Sequence, residues 1–347
     1  MSHNIFQERF GSVRAPAWHK LGKVFAEPLT AVEAFSQIGR YTVELVPLQT
    51  VASSDQEVRG IAEQIGGLNL TQRAIVAWSG ATSTTSVIGI AGTGYTLMTP
   101  DEVVDCWDRA TLRKIETIGV LGRGEKMFVT ALRPSFSVNG DEIRVYVVLV
   151  ASFDGKSAQR VFITTVRIVC QNTLVSGMRA ASAMYRIVHL SHVVEETEQW
   201  LKRVSESIDT RVADIHAAYR QLSDKRITDS EAERLLTTIY SVPAVMPARD
   251  GGTARDRERV ALWAMRNEKA VALRDAALEL YSGRGIGSSM VSTAGTLFGL
   301  WNAVVELEDY RNTKGDGKLA AQSAVLGDRA RVKADAFNLL LARAGRS

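Results

Sequence analysis

A chain of 347 residues, 46% apolar and 23% charged, has the composition of a folded globular protein and can build one large domain or two ordinary ones. Its formal charge of +4 and pI near 9.1 admit a polyanionic partner without establishing one. No run of about 18 apolar residues exists to cross a membrane, the first residues lack the basic and apolar regions of a secretory signal, and two cysteines, Cys106 and Cys170, fit a reducing cytosol and cannot make a metal site without other ligands.

Residues 1–29 read as irregular. Their notable cluster is Trp18-His19-Lys20-Leu21-Gly22, which with Val24 and Phe25 forms a hydrophobic clasp; a catalytic His19 is the sharper alternative. Thr30 caps a helix over 31–38, with Glu33 closing a capping box and Gly39 stopping it. Residues 41–51 alternate as a strand, 53–71 form a polar loop or weak helix, and strands follow over 73–78 and 86–92. Gly89-Ile90-Ala91-Gly92-Thr93-Gly94 resembles part of a phosphate loop. Tyr95-Thr96 stands where the loop needs Lys-Ser/Thr, so the segment reads as a turn or bulge. Thr99-Pro100-Asp101-Glu102 then starts a helix that runs to about Leu112 and buries Val103, Val104 and Trp107.

The stretch from Ile115 to Ser182 organises the chain as three strands running into a helix. A glycine-basic turn, Gly122 to Lys126, divides the first arm, and Asn139-Gly140-Asp141 marks a hairpin because Asn-Gly accepts positive φ. Val145–Val150 is apolar on both faces, as in a covered strand. Asp154-Gly155-Lys156 turns into a third strand, whose apolar run Thr165 and Arg167 interrupt, so that one face meets solvent or a ligand. Cys170 opens the helix and reads as a small buried hydrophobe. Between residues 111 and 180 there are ten Lys/Arg against five Asp/Glu, an excess of +5 in a chain whose total is +4.

Beyond a last short strand over 186–190 the chain is helical: residues 193–222, a helix capped by Thr228 that runs to Tyr240, 254–281, 296–311 and 318–344. Residues 242–252, with two prolines and Gly251-Gly252, make the best linker, and 282–289 is a flexible or close-approach loop. The expected architecture is α+β: an antiparallel β-meander packed on helices, with a β-β-β-α core, over residues 1–190, followed by a helical half over 191–347.

The chain shows no HExxH, paired CxxC, GxSxG or Walker pattern. Asp101, Glu102, Asp105 and Asp108 have spacings that a nuclease would use for a metal, against the plainer reading of a solvated helix face. What remains is the basic sheet. Arg123, Lys126, Lys156, Arg160, Arg167 and Arg179 fall at strand ends, turns and the following helix, and guanidinium and ammonium groups so placed suit a phosphate track. Phe128, Tyr146, Phe153 and Phe162 read mostly as core, so the sheet suits a reader of the backbone more than of the bases. Arg167 and Arg179 are expected to join Arg123 and Lys126 from a mobile glycine turn as the phosphate contacts, whereas Arg160, seven residues before Arg167, points to the opposite face.

Pro16-Ala17-Trp18-His19-Lys20-Leu21-Gly22, Arg167-Ile168-Val169-Cys170-Gln171-Asn172-Thr173-Leu174 and Trp301-Asn302-Ala303-Val304-Val305-Glu306 with Asp309 together resemble a phage/plasmid-like protein family that carries a domain of unknown function. Tyr310 departs from the histidine that commonly follows the aspartate in that family. In element order and charge, the β-β-β-α unit is similar to the core of single-strand annealing proteins. The two resemblances imply a cytoplasmic protein of a bacterial host that binds single-stranded DNA as a ring or filament of identical copies. They imply strand annealing without ATP or another cofactor, and a phage exonuclease or a host single-strand-binding protein as a further partner. The alternative is a structural or regulatory phage or plasmid protein that acts through protein contacts; a metal-dependent nuclease is a third class.

Overall fold

The computed structural model describes residues 5–13, 22–47, 72–79, 84–111, 114–167, 184–242, 254–310 and 328–345. His19, Cys170, Arg179, the polar stretch 53–71 and most of the linker at 242–252 lie outside them. The architecture is mixed α and β, with sheets in the N-terminal half and mostly helices in the C-terminal half. The strands are β1 (Ile5–Val13), β2 (Lys23–Phe25), β3 (Thr42–Pro47), β4 (Arg73–Ser79), β5 (Thr84–Ala91), β6 (Thr117–Leu121), β7 (Lys126–Val138), β8 (Asp141–Ser152), β9 (Gln159–Arg167) and β10 (Met184–Ile187). A seven-stranded sheet has the order β10-β9-β8-β7-β6-β1-β2, and a three-stranded sheet the order β3-β4-β5. Two compact units divide the chain.

The first unit comprises Met1–Leu132, Val147–Phe162 and Met184–Ser207. Its opening corrects the irregular arm expected from the sequence. Ile5–Val13 is strand β1, antiparallel to β6 (Thr117–Leu121), and Lys23–Phe25 is β2, parallel to β1. Gln7 and Glu8 adopt positive φ, and the pairing shifts register between Ile5 and Phe10, so the strand lacks the alternation that would announce it. Beyond that bulge lies buried Arg9. Its Nε donates to the Gly39 carbonyl at 2.6 Å, its Nη2 donates to Ser79 Oγ at 2.6 Å, and its guanidinium stands 5.2 Å from the Phe6 ring centroid.

Local signals elsewhere hold. Helix α1, Ala31–Ile38, has the complete Thr30–Glu33 capping box and ends at Gly39. Strands β3 (Thr42–Pro47), β4 (Arg73–Ser79) and β5 (Thr84–Ala91) form the small antiparallel sheet. Helix α2, Pro100–Thr111, begins at Thr99, whose hydroxyl accepts from the Glu102 amide, and it buries Val103, Val104 and Trp107.

The meander has four strands, not three, because the glycine-basic turn ends a strand: β6 turns into β7 (Lys126–Val138), then β8 (Asp141–Ser152) and β9 (Gln159–Arg167). Asn139 and Gly140 both have positive φ, at 47° and 85°, which makes the two-residue hairpin predicted from Asn-Gly. Val147, Val148 and Leu149 are buried in succession, as a strand covered on both faces requires. Strand β10, Met184–Ile187, forms the edge beyond β9, and the first half of α3 (Val193–Asp224) completes this unit.

The second unit takes the β7–β8 hairpin tip, Arg133–Tyr146, together with Ile163–Ala183 and Ile208–Ser347. Its helices are the rest of α3, then α4 (Asp229–Ile239, capped by Thr228), α5 (Ala254–Glu279, continuing through a π-helical turn at Leu280–Arg284), α6 (Leu297–Tyr310) and α7 (Asp328–Ala344). Tyr219 of α3 centres an aromatic core with Phe136, Phe298, Trp301 and Phe337, at centroid distances of 5.1 to 6.1 Å. Its hydroxyl lies 2.6 Å from Thr165 Oγ1, so Thr165 meets a buried tyrosine rather than the solvent or ligand its polarity implied. The hairpin tip is anchored as well. Asn139 Nδ2 donates to Ser223 Oγ at 2.9 Å, and Ser292 Oγ to Asp141 Oδ2 at 3.2 Å.

Candidate nucleic-acid interface

In an up-down-up-down meander, the β6–β7 and β8–β9 turns fall at the same end. The Phe153 amide accordingly donates to the Glu125 carbonyl at 2.8 Å. This brings together Arg123, Lys126 and Lys156, which the three-strand reading kept apart, and it removes the mobility expected of the glycine turn. The Tyr41 hydroxyl donates to the Gly124 carbonyl, and a Cβ on Gly124 would come to 2.9 Å from Ala77 Cβ. A Cβ on Gly89 would stand 2.3 Å from the Asp154 carbonyl oxygen, so the second turn is pressed backbone to backbone onto β5. The cations here have carboxylates beside them. Arg123 Nε lies 3.2 Å from Glu125 Oε1. Burial pushes the pKa of Asp154 up, but bonds from the Ser157 and Lys156 amides and the Ser157 hydroxyl, with the Lys126 charge, outweigh it and hold the group ionised to lower pH than usual.

The β9–β10 edge is built differently. Arg160 and Arg186 are direct cross-strand partners, as are Val161 and Tyr185. Opposed residues of an antiparallel pair have Cα atoms about 4.5–5.5 Å apart and point to the same face, so two guanidinium groups share one spot on an edge strand, with Arg186 exposed. An arginine pair of this kind presents donors that suit a phosphate. On the other parity, the ring of Tyr185 stacks on Trp200 of α3 at 3.9 Å and 19°. The Arg203 guanidinium lies 4.6 Å from the Trp200 centroid. One turn earlier, Glu198 accepts from Arg109 at 3.0 Å and from Lys202 at 2.6 Å. Two cations thus hold one carboxylate, and a third lies on the Trp200 ring, beside two half-buried aromatic rings bounded by the acidic first turn of α3 at Glu195 and Glu196.

The proposed track therefore changes. Arg160, Arg123, Lys126 and Lys156 belong to the first unit, whereas Arg167 ends β9 in the second. Strand β9 runs unbroken from Gln159 to Arg167, which keeps Arg160 and Arg167 on opposite parities. Arg179 and the Arg167 side chain fall outside the described residues.

The other candidates resolve into structure. Asp108 accepts the Ala31 and Val32 amides at 2.8 and 3.0 Å and so caps α1, Asp101 pairs with Arg40, and Glu102 closes a box with Thr99. Among the described residues, no group of three or more His, Cys, Asp or Glu could hold a metal. Burial pushes the Cys106 thiol up to about 11. Gly89-to-Gly94 ends β5 and turns, with the Tyr95 amide bonded to the Gly92 carbonyl at 3.2 Å. His189 is buried and stacks on Tyr95 at 4.7 Å; burial lowers its pKa, against the Thr96 carbonyl facing Nδ1 at 3.2 Å and the Asp154 charge.

Sequence reasoning missed Arg186, Tyr185, Trp200 and Arg203. The available signal was a tryptophan within a charged helix, Gln199-Trp200-Leu201-Lys202-Arg203, since an indole among charges needs a partner for its rings. The model of a family described as a domain of unknown function, DUF932, matches residues 87–334. That is well over half of the chain, and the chain belongs to this family. No curated protein and no solved structure matches it. The matched stretch runs from β5 into α7 and includes the whole meander and the β9–β10 edge.

Proposed function

We propose that this protein binds single-stranded DNA through its phosphates and anneals complementary strands, without nucleotide hydrolysis, in the recombination or replication of a phage or plasmid. The observation that carries the reading is the β9–β10 edge, where Arg160 faces Arg186 on one face and Tyr185 stacks with Trp200 and Arg203 on the other. Cations for the backbone and aromatic rings for bases, carried here by the two faces of one edge, are the two elements of a sequence-tolerant single-strand site. Lys156, four residues before Arg160, and Arg123 at the neighbouring turn lie where the field weakens, since Glu125 and Asp154 stand beside that turn. Annealing then follows from holding strands extended, with phosphates neutralised and base edges outward. One such edge covers few nucleotides, so the working form is an oligomer of identical copies in the cytoplasm of a bacterial host, with a phage exonuclease or a host single-strand-binding protein as candidate partner.

Filter binding of a labelled oligonucleotide at two salt concentrations tests this. Affinity should fall steeply with salt, by a log–log slope of about 0.7 for each phosphate neutralised, and mixed complementary strands should pair faster with the protein than without it. No binding at low salt overturns the reading and leaves the protein-contact alternative.

A further inference from the structure

Helix α5 carries two apolar seams. The inner one, Val260, Trp263, Asn267, Ala270, Arg274 and Ala277, is half-buried to buried and faces its own unit, where Arg274 reaches Glu233 of α4 at 3.6 Å. The outer one, Glu258, Leu262, Met265, Lys269, Ala272 and Ala276, has the alternating spacings of four and three that define a coiled-coil seam. Glu258 through Ala272 are all exposed, with Leu262 at 44% and Met265 at 60%. On a helical wheel at 100° per residue the two seams lie roughly 140° apart, so the outer seam is not the margin of the inner one.

We infer that the outer seam of α5 is a self-association surface whose occupant is the same helix of a second copy, antiparallel, about a twofold axis between Leu262 and Met265. Charge complementarity selects this occupant and this direction. About that axis, Leu262 of one copy meets Met265 of the other, and Glu258 meets Lys269, twice over by symmetry. A parallel pair would oppose Glu258 to Glu258 and Lys269 to Lys269. One flank brings Arg257 toward Glu268; the other, at the same offset, opposes Arg259 to Arg266, a like-charge pair whose long side chains can spread apart. The contact is isologous and closes as a dimer, so a longer array needs a second contact. The inference names the surface for the self-association that the annealing reading requires, and it is testable without DNA.

Light scattering on the full chain at about 50 μM, with circular dichroism as the check on folding, reads the result directly. The wild type should have the mass of a dimer, and Leu262→Glu with Met265→Glu that of a monomer with an unchanged spectrum. Glu258→Lys alone and Lys269→Glu alone should each weaken the dimer at least tenfold, and the two together should restore it. A monomeric wild type overturns the inference, as does a dimer that survives Leu262→Glu with Met265→Glu. A charge exchange that fails to rescue overturns the antiparallel pairing. If the dimer behaves as described and the protein still ignores single-stranded DNA, the annealing reading fails and the interface stands.

Discussion

Two regions of the first unit carry its basic meander residues, and they handle charge in opposite ways. At the turn end, Arg123 and Lys126 each have an acid close by, Glu125 and Asp154 respectively, and both loops are locked against β5 and Tyr41. At the β9–β10 edge, Arg160 faces Arg186, and the Tyr185–Trp200 stack on the other parity carries Arg203, with Glu198 held by Arg109 and Lys202. A count of cations treats the two regions alike. The field that a phosphate meets is set by what stands opposite each cation, and that is decided by strand pairing.

The largest effect is expected where the turn end is locked. Gly89→Ala puts a methyl 2.3 Å from the Asp154 carbonyl oxygen, and backbone on both sides leaves nothing flexible to yield. Overpacking of this kind costs about 1–3 kcal/mol, and here the upper end applies. A urea titration measures it. A cost under about 0.5 kcal/mol would mean the two loops are not in contact, and the contrast with the edge would disappear.

The second effect concerns the edge. Arg160→Ala with Arg186→Ala removes two candidate phosphate contacts, so single-strand affinity at low salt should drop at least tenfold. The salt slope should shrink by about 1.4, at roughly 0.7 per contact. An unchanged slope in a folded variant would show that DNA, if bound, runs elsewhere.

What was legible in the chain follows from the range of each interaction. Thr30 with Glu33, Thr99 before Pro100, Asn139-Gly140 and the Thr228 cap act within three or four residues, and each element starts or turns where those residues place it. Strand β1 was illegible because Gln7 and Glu8 break its alternation and its partner, β6, lies about a hundred residues away. Placing Arg123 beside Lys156 required knowing that Gly122–Glu125 ends a strand, since one extra reversal moves every later turn to the other end of the sheet. Tyr185 and Trp200 lie fifteen residues apart and meet only because β10 pairs with β9 while α3 packs across them.

A smaller effect separates burial from charge beside the locked turn. His189 is buried against Tyr95, and its pKa lies below the ordinary value of 6.5; Asp154 is the charged group facing it. The unfolded chain therefore binds the proton more readily, and stability falls as pH drops from about 6.5 toward the folded-state pKa, by at most about 1.4 kcal/mol per pH unit. Asp154 also loses stability on acidification, but only as pH falls below about 3.8, so the two are resolved. His189→Phe, which keeps a ring on Tyr95, should flatten the upper limb in thermal melts between pH 5 and 7. A limb unchanged in that variant would assign it to another group.

The smallest effect closes the comparison. Arg123→Ala with Lys156→Ala removes two cations that a count of basic residues ranks equal to Arg160, yet Arg123 already lies 3.2 Å from Glu125, and the Asp154 carboxylate sits two residues from Lys156 in the same turn. The Arg123–Glu125 pair is exposed on its arginine side, where an ion pair contributes about 0–1 kcal/mol, so stability should scarcely move. A phosphate approaching the turn must compete with Glu125 for Arg123 and meets the ionised Asp154 as well. Single-strand affinity should then change less than about threefold, with a salt slope close to that of the wild type. Filter binding on the same oligonucleotide decides it. If this pair weakens binding as much as Arg160→Ala with Arg186→Ala does, the local carboxylates do not neutralise the turn, and the DNA path runs along both regions.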